Sequence, residues 1–485
     1  MEFRLGPWLP DETDFKNPGL EVCQNVVPTE TGYAPARSPI PTSAAIPGTI
    51  IGADTAYLSN DLAVTVVATN SDLYVIRDFT VTASGLGLSI PAGERMAFAR
   101  FGSSIYASTR LGGTWVLGDV ETDNAFIAAS GSPPRANAMA RVADFLVMGD
   151  LRDIDTLTAR YRIRWSRFNN PAGTWGTDIA TQAGAIDLDP RFGIVTAIAG
   201  GSDGLVFQRQ GISRLTFTGG ATVFALDVFE KERGCVAPQS LVQIGEASYY
   251  LSHDGFFMTD GSTPRAISTG KVWEWFLSNV NQEFLGKVVG SVDYQSRCIV
   301  WLFSGAPASP LTGQIWYHWP TGKWSYVDQA LEWVVEGSRQ GLTLEQVSLL
   351  YPNLDTMSLS LDSPEFLARY RDLQAFSGGF LSTMAGAPLA ATWQTGDFQP
   401  FPGRRSFVEQ VAPLVEAPQV NVRLGSKDRM TASFVEGDAV PMGPLGFAPV
   451  NVDARYFRVR LDIPAGVEWG NAYGAQVTAR ESGLT

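Results

Sequence analysis

Cysteine and histidine are scarce in this 485-residue chain, with three copies of the first and two of the second. Cys23, Cys235 and Cys298 are far apart, odd in number and never form a Cys-x-x-Cys pair. That pattern argues against a disulfide framework or a zinc site and fits a reducing place of synthesis. Charge is also sparse: 49 acidic and 36 basic residues make 18% of the chain and a net −13. An acidic surface repels free nucleic acid, which argues against a sequence-reading DNA or RNA binder. No apolar run approaches the ~18 residues that a membrane-spanning helix needs. Residues 1–15, MEFRLGPWLPDETDF, lack the charged-then-apolar order of a secretory signal. The expectation is a soluble protein made in the cytoplasm, with no membrane insertion.

What the chain does have is apolar material and turn formers. Hydrophobic residues make 45% of it, enough for a full core, and 49 glycines with 29 prolines favour turn-rich β structure. From about residue 50 a unit recurs, in which an apolar strand, a polar or glycine turn and a second apolar strand follow one another. Copies lie at 56–78, 96–117, 140–150 with 160–168, 195–217, 240–267, and 288–303 with 314–327. Their starts are roughly 40–55 residues apart, close to the ~40–50 of a propeller blade of four strands. A lone four-stranded sheet leaves both faces bare, whereas sheets packed radially cover each other. The reading is an all-β chain with a β-propeller over 49–335, of about six blades, with five and seven open.

Residues 1–48 read as an extended arm. Eight prolines between Pro7 and Pro47 oppose a helix or an inner strand, yet Phe3, Trp8, Leu9, Phe15, Leu20, Val22, Val26 and Val27 demand cover. The arm is therefore expected to pack along a larger body or a neighbouring subunit. Residues 271–277 read as one or two helical turns between blades, and 336–386 as a mixed insertion. Five strand candidates within 387–485 suggest a sandwich-like C-terminal β domain, completed by pairing with the propeller.

Few residues carry chemistry. His253 lies in the turn Ser252-His253-Asp254-Gly255, where sequence neighbours do not produce the geometry of a catalytic triad. His318 sits between aromatics on a strand. Asp187 and Asp189 share a strand face, and paired carboxylates serve glycoside hydrolysis. The segment 169–175 approaches the Ser-x-Asp-x-Gly-x-Thr-Trp box of sialidase-like propellers, but its glycine comes one residue late and its aspartate is replaced. Gly200–Gly204 lacks the lysine and the helix of a phosphate loop and reads as a hairpin turn. The strongest charge pattern is Arg160, Arg162 and Arg164, which fall on one face of a strand. Two readings stand for them. One is phosphate contact in a DNA channel. The other, favoured on the residues, is a ladder of ion pairs between blades or subunits with acids such as Asp153, Asp155, Asp187 and Asp189. Arg458 and Arg460 repeat the pattern less regularly and read as a solvated strand face. No catalytic, metal-binding or cofactor-binding residue is assigned.

Six segments taken in order carry a resemblance: 8–28, 162–175, 232–245, 249–262, 401–415 and 452–461. Their order and spacing resemble the tail nozzle, or packaged-DNA stabilisation, proteins of short-tailed bacteriophages (podoviruses) and related prophages. The resemblance implies a homohexamer below the adaptor ring of the portal vertex, placed in the virion tail and assembled in the bacterial cytoplasm. It implies as partners the adaptor ring protein, a tail fibre or spike, and a plug, needle or ejection proteins. Double-stranded DNA would be retained and then conducted without sequence recognition and without a bond being broken. Six copies at −13 give about −78, and an acidic lumen repels phosphate so that DNA slides without sticking. The alternative is a carbohydrate-active propeller, a glycoside hydrolase or lectin, acting on a cell-surface glycan.

Overall fold

The computed structural model describes residues 2–13, 15, 17–59, 62–153, 159–220, 222–305, 311–339 and 370–483. Seven antiparallel units of four strands follow one another among them. Blades 1 to 6 occupy Ile50–Ala83, Ala97–Ala128, Arg135–Asp187, Val195–Glu230, Val242–Ala266 and Val289–Val327. Each matches one of the six sequence copies. The seventh uses Trp333–Arg339, Tyr370–Ser377 and Phe380–Thr383, with Ile40–Pro41 of the arm as its outer strand.

The count is therefore seven rather than about six, and the propeller runs past residue 335 into the segment read as an insertion. Period reading missed this blade because residues 340–369 separate its first two strands, and because its fourth strand comes from the other end of the chain. Three of the seven outer strands, Ile40–Pro41, Ile127–Ala128 and Arg265–Ala266, are also only two residues long.

The inner strands explain how seven sheets reach one axis. Ala53, Ala97, Ala138 and Ala197 line the central cavity from the first four blades, and Gly290 and Ser291 do so from the sixth. Small side chains let the strands converge without filling the centre. Gly52 shows how close the blades come: a Cβ there would lie 2.7 Å from the Met96 carbonyl oxygen of blade 2. Between sheets, large side chains fill the wedges, as Phe145, Trp165 and Phe224 do where blades 3 and 4 meet.

The ring closes where blade 7 meets blade 1. Ile50, Val67, Tyr74 and Ile76 share one buried cluster with Val334, Leu373 and Phe376. The Ala63 backbone N–H donates to Ser338 Oγ at 2.9 Å across that seam. The arm fastens blade 7 from outside, because the Thr42 N–H donates to the Leu381 carbonyl at 2.8 Å.

The arm is more ordered than its prolines suggest. Leu20–Gln24 is an inner strand, pairing with Ala391–Thr395 on one side and meeting Lys323–Val327 of blade 6 on the other. Pro18 and Pro28 flank this stretch and no proline lies inside it. Blade 6 thereby continues through the arm into a nine-stranded sheet that takes in Tyr456–Ile463 and Asn421–Lys427. A second sheet, built on Arg405–Val415, Ala448–Ala454 and Ala472–Gly483, also gains Glu2–Arg4, Val26–Pro28 and Tyr33–Pro35 from the arm. The two sheets enclose Trp393, Val408, Val411, Leu424, Phe457, Val459 and Val477. The helix Trp273–Asn279 lies between blades 5 and 6 and buries Trp273 and Phe276.

Candidate functional site

The central cavity measures about 350 Å³ and is walled by all seven inner strands. That is the size of a small-molecule site. A duplex whose major groove alone is about 12 Å wide does not fit it. Two carboxylates face this channel. Asp54 receives the Thr55 N–H at 2.8 Å, and burial pushes its carboxyl up to about 6. Glu336 accepts from the Tyr57 hydroxyl at 3.2 Å, and burial pushes it up to about 7. Asp54 adds to that rise, and Arg371 opposes it. The Arg371 guanidinium lies over the rings of Tyr57 and Tyr294, at 4.4 and 5.1 Å from their centroids. Nothing in the local sequence marks Asp54 or Glu336. They become visible only once the first strand of each blade is known to line an axis.

Arg160, Arg162 and Arg164 do share a face, on the third strand of blade 3, Ala159–Trp165. That strand stands two places out from the axis, so none of the three lines the propeller channel. Arg160 pairs with Asp150 at 2.7 Å. Arg162 lies between Asp153 at 3.1 Å and Asp187 at 2.6 Å. Arg164 reaches Asp153 at 2.8 Å and donates to the Trp175 carbonyl oxygen, and it is 1% exposed. The result is a ladder of ion pairs within one blade, linked to blade 2 where Asp150 also meets Arg110. Asp189 instead holds Arg191 at 2.6 Å, and Asp155 lies outside the described residues.

The other candidates stay apart. Arg162 holds Asp187 below the usual carboxylate range and Arg191 does the same for Asp189, the reverse of what a general acid requires. His253 is exposed in its turn, and Asp254 beside it pairs with Arg233 at 2.9 Å. His318 is buried and 2.6 Å from the Thr321 hydroxyl; burial, with Lys323 and Arg297 nearby, lowers its affinity for a proton. The three thiols are buried and unpaired, and burial raises all of them. Among the described residues no group of three or more His, Cys, Asp or Glu side chains is placed to hold a metal ion.

Arg458 departs from its solvated reading. It is 11% exposed and pairs with Glu21 and Asp397, each at 2.8 Å, while Lys427 takes the other oxygen of Asp397 at 2.7 Å. Arg460 keeps a more exposed place beside Asp462.

No family model and no curated protein matches the chain. Solved structures of similar outline include a chain of the mitotic checkpoint complex. It is 11% identical with a TM-score of 0.38 and covers 62% of this chain and 90% of that one. A second, BBS1N in complex with ARL6DN, is 11% identical with a TM-score of 0.39, covering 72% and 95%. A third, virginiamycin B lyase from Staphylococcus aureus, is 10% identical with a TM-score of 0.33, covering 55% and 80%. Likeness at this level says nothing about what the chain binds or does.

Proposed function

We propose that the chain is a non-enzymatic virion component, one subunit of a hexameric tail nozzle that extends the portal and adaptor channel, retains packaged double-stranded DNA and conducts it at ejection. The observation that carries this reading is where the six resembling segments fall. Trp8 and Leu20, Ala237 and Val242, Tyr249 and Phe256, Val408 and Val411, and Phe457 and Val459 all belong to one buried core. Five of the six segments, scattered along the chain, thus meet where propeller, arm and C-terminal sheets join. The shared feature is then an architecture and not a reaction centre.

The conduit in this reading is the space enclosed by six subunits, since the propeller's own cavity is too small for a duplex. The fusion of blade 6 with the C-terminal sheet suits a ring under internal pressure, because it leaves no hinge between the two parts. The net charge of −13 on each subunit favours a lumen along which phosphate slides.

The test is reconstitution with the ring protein that lies next to it at the vertex. Co-expression of the two, followed by mass photometry and electron microscopy, is expected to yield a six-fold assembly with an open axis. A chain that stays monomeric beside that ring, or that releases sugar from a host glycan, overturns the reading.

A further inference from the structure

A second cavity of about 520 Å³ lies where the inner strands begin, lined by blades 1 and 6, by residues 90–95 leading into blade 2 and by Glu332 just before blade 7. Two cations, Arg95 and Lys287, line it. Arg95 stands just before the inner strand of blade 2, with its guanidinium over the Trp333 ring at 5.0 Å and at 3.5 Å from the Lys287 carbonyl oxygen. Among the described residues it meets no carboxylate, and burial pushes it down to about 10. Lys287 rests its ammonium over the Phe284 ring at 4.1 Å, and burial, with Arg95 nearby, lowers its affinity for a proton. The two acids on the rim are engaged elsewhere. Glu94 faces Arg110 at 3.8 Å, and Glu332 accepts from the Gly379 N–H at 3.2 Å.

An enclosed guanidinium without a counter-charge is unfavourable, and a second cation beside it adds to the strain. An oxyanion relieves both, because the planar fork of arginine accepts a carboxylate or phosphate in two parallel hydrogen bonds. Stacking on Trp333 fixes that fork, so little freedom is lost when the anion arrives. The wall also carries the apolar side chains of Ile50, Ile90 and Phe284, among the polar ones of Thr49, Asn70 and Ser304. The volume exceeds that of a bare ion, so the occupant brings an apolar part.

We propose that this vestibule binds a small organic anion, its carboxylate or phosphate group held between Arg95 and Lys287 and its apolar part against Ile50, Ile90 and Phe284. The cavity is formed within one chain, so its test does not require the ring.

The experiment is titration of the full chain with benzoate, phenyl phosphate and inorganic phosphate, read by calorimetry and by thermal melting against chloride of matched ionic strength. At least one of the two aromatic anions is expected to bind and to raise the melting temperature, with inorganic phosphate weaker. Which of them binds more tightly identifies the head group. Lys287→Met is expected to weaken binding about tenfold or more. Arg95→Met is expected to abolish it while melting no lower than the parent in anion-free buffer, since it removes an unpaired charge and keeps the packing over Trp333. No response of the parent beyond the chloride control overturns the proposal. An unchanged affinity in Lys287→Met also overturns it, and that variant serves if Arg95→Met does not fold.

Discussion

The Glu21 carboxylate lies 2.8 Å from the Arg458 guanidinium, tying the N-terminal arm to a strand near the far end of the chain. Arg458 in turn meets Asp397, which is 1% exposed and also holds Lys427. The central acid of this cluster matters most, because its loss leaves two cations with little access to water. Asp397→Asn is expected to cost about 3–5 kcal/mol, measured by urea unfolding. Glu21→Gln, at the more exposed end, is expected to cost about 1 kcal/mol. Equal effects of the two substitutions would contradict this ordering.

Trp8 anchors the arm. Its ring packs edge-on against Trp275, with centroids 4.7 Å apart, and its Nε1–H donates to the Glu21 carbonyl at 3.0 Å. Trp8→Ala is expected to cost about 3–5 kcal/mol in the same assay. A loss below about 1 kcal/mol would mean that the arm only lies on the surface.

Closure of blade 7 rests on a few backbone hydrogen bonds. Thr42→Pro removes the N–H that donates to Leu381. Hydrogen exchange is expected to quicken at Phe380–Thr383 ahead of the strands of blades 3 and 4. Uniform exchange across all the blades would show that the arm does not fasten the ring.

The arginine ladder predicts a gradient along one strand. Asp153 is fully buried against Arg162 and Arg164, and Asp153→Asn is expected to cost about 3–5 kcal/mol. Arg160 is 37% exposed, and Arg160→Gln is expected to cost about 1 kcal/mol or less. Chemical denaturation of both variants reads the difference, and a larger effect at Arg160 would contradict it.

Glu336 and Asp54 give the fold a pH dependence opposite to that of the paired acids. Their ordinary values of 4.5 and 3.8 rise to about 7 and about 6 on folding. A raised carboxyl favours the folded state while it stays neutral, so its contribution is full below the unfolded value and fades as pH climbs through the folded one. Stability is therefore expected to fall between about pH 4 and 7. Glu336→Gln, which stays neutral, is expected to flatten that fall and to gain about 1–2 kcal/mol at pH 8 over the parent. The same slope in both proteins would contradict this assignment.

Much of the fold can be read from the chain itself, since six of the seven blades announce themselves by apolar strands bounded by glycine, aspartate or asparagine. The seventh escapes because its strands come from both ends of the chain, and pairing of that range leaves no local period. Leu20–Gln24 escapes for a related reason: proline density describes the arm as a whole, whereas a strand needs only five residues without one. The site residues were less legible. Arg160, Arg162 and Arg164 stand out by alternation, which fixes their common face but not the acids opposite. Asp54, Arg95 and Glu336 have no pattern of their own, because only ring closure brings Asp54 and Glu336 to the axis and Arg95 to the second cavity.

The most direct measurement is an electron-microscopy reconstruction of particles from the genome that encodes this chain, at the vertex through which DNA leaves. The account predicts six copies around the exit axis, each with a seven-bladed propeller joined rigidly to its C-terminal sheets and DNA passing between subunits. Density for the chain anywhere other than that vertex, or in a ring that encloses no passage, would contradict it.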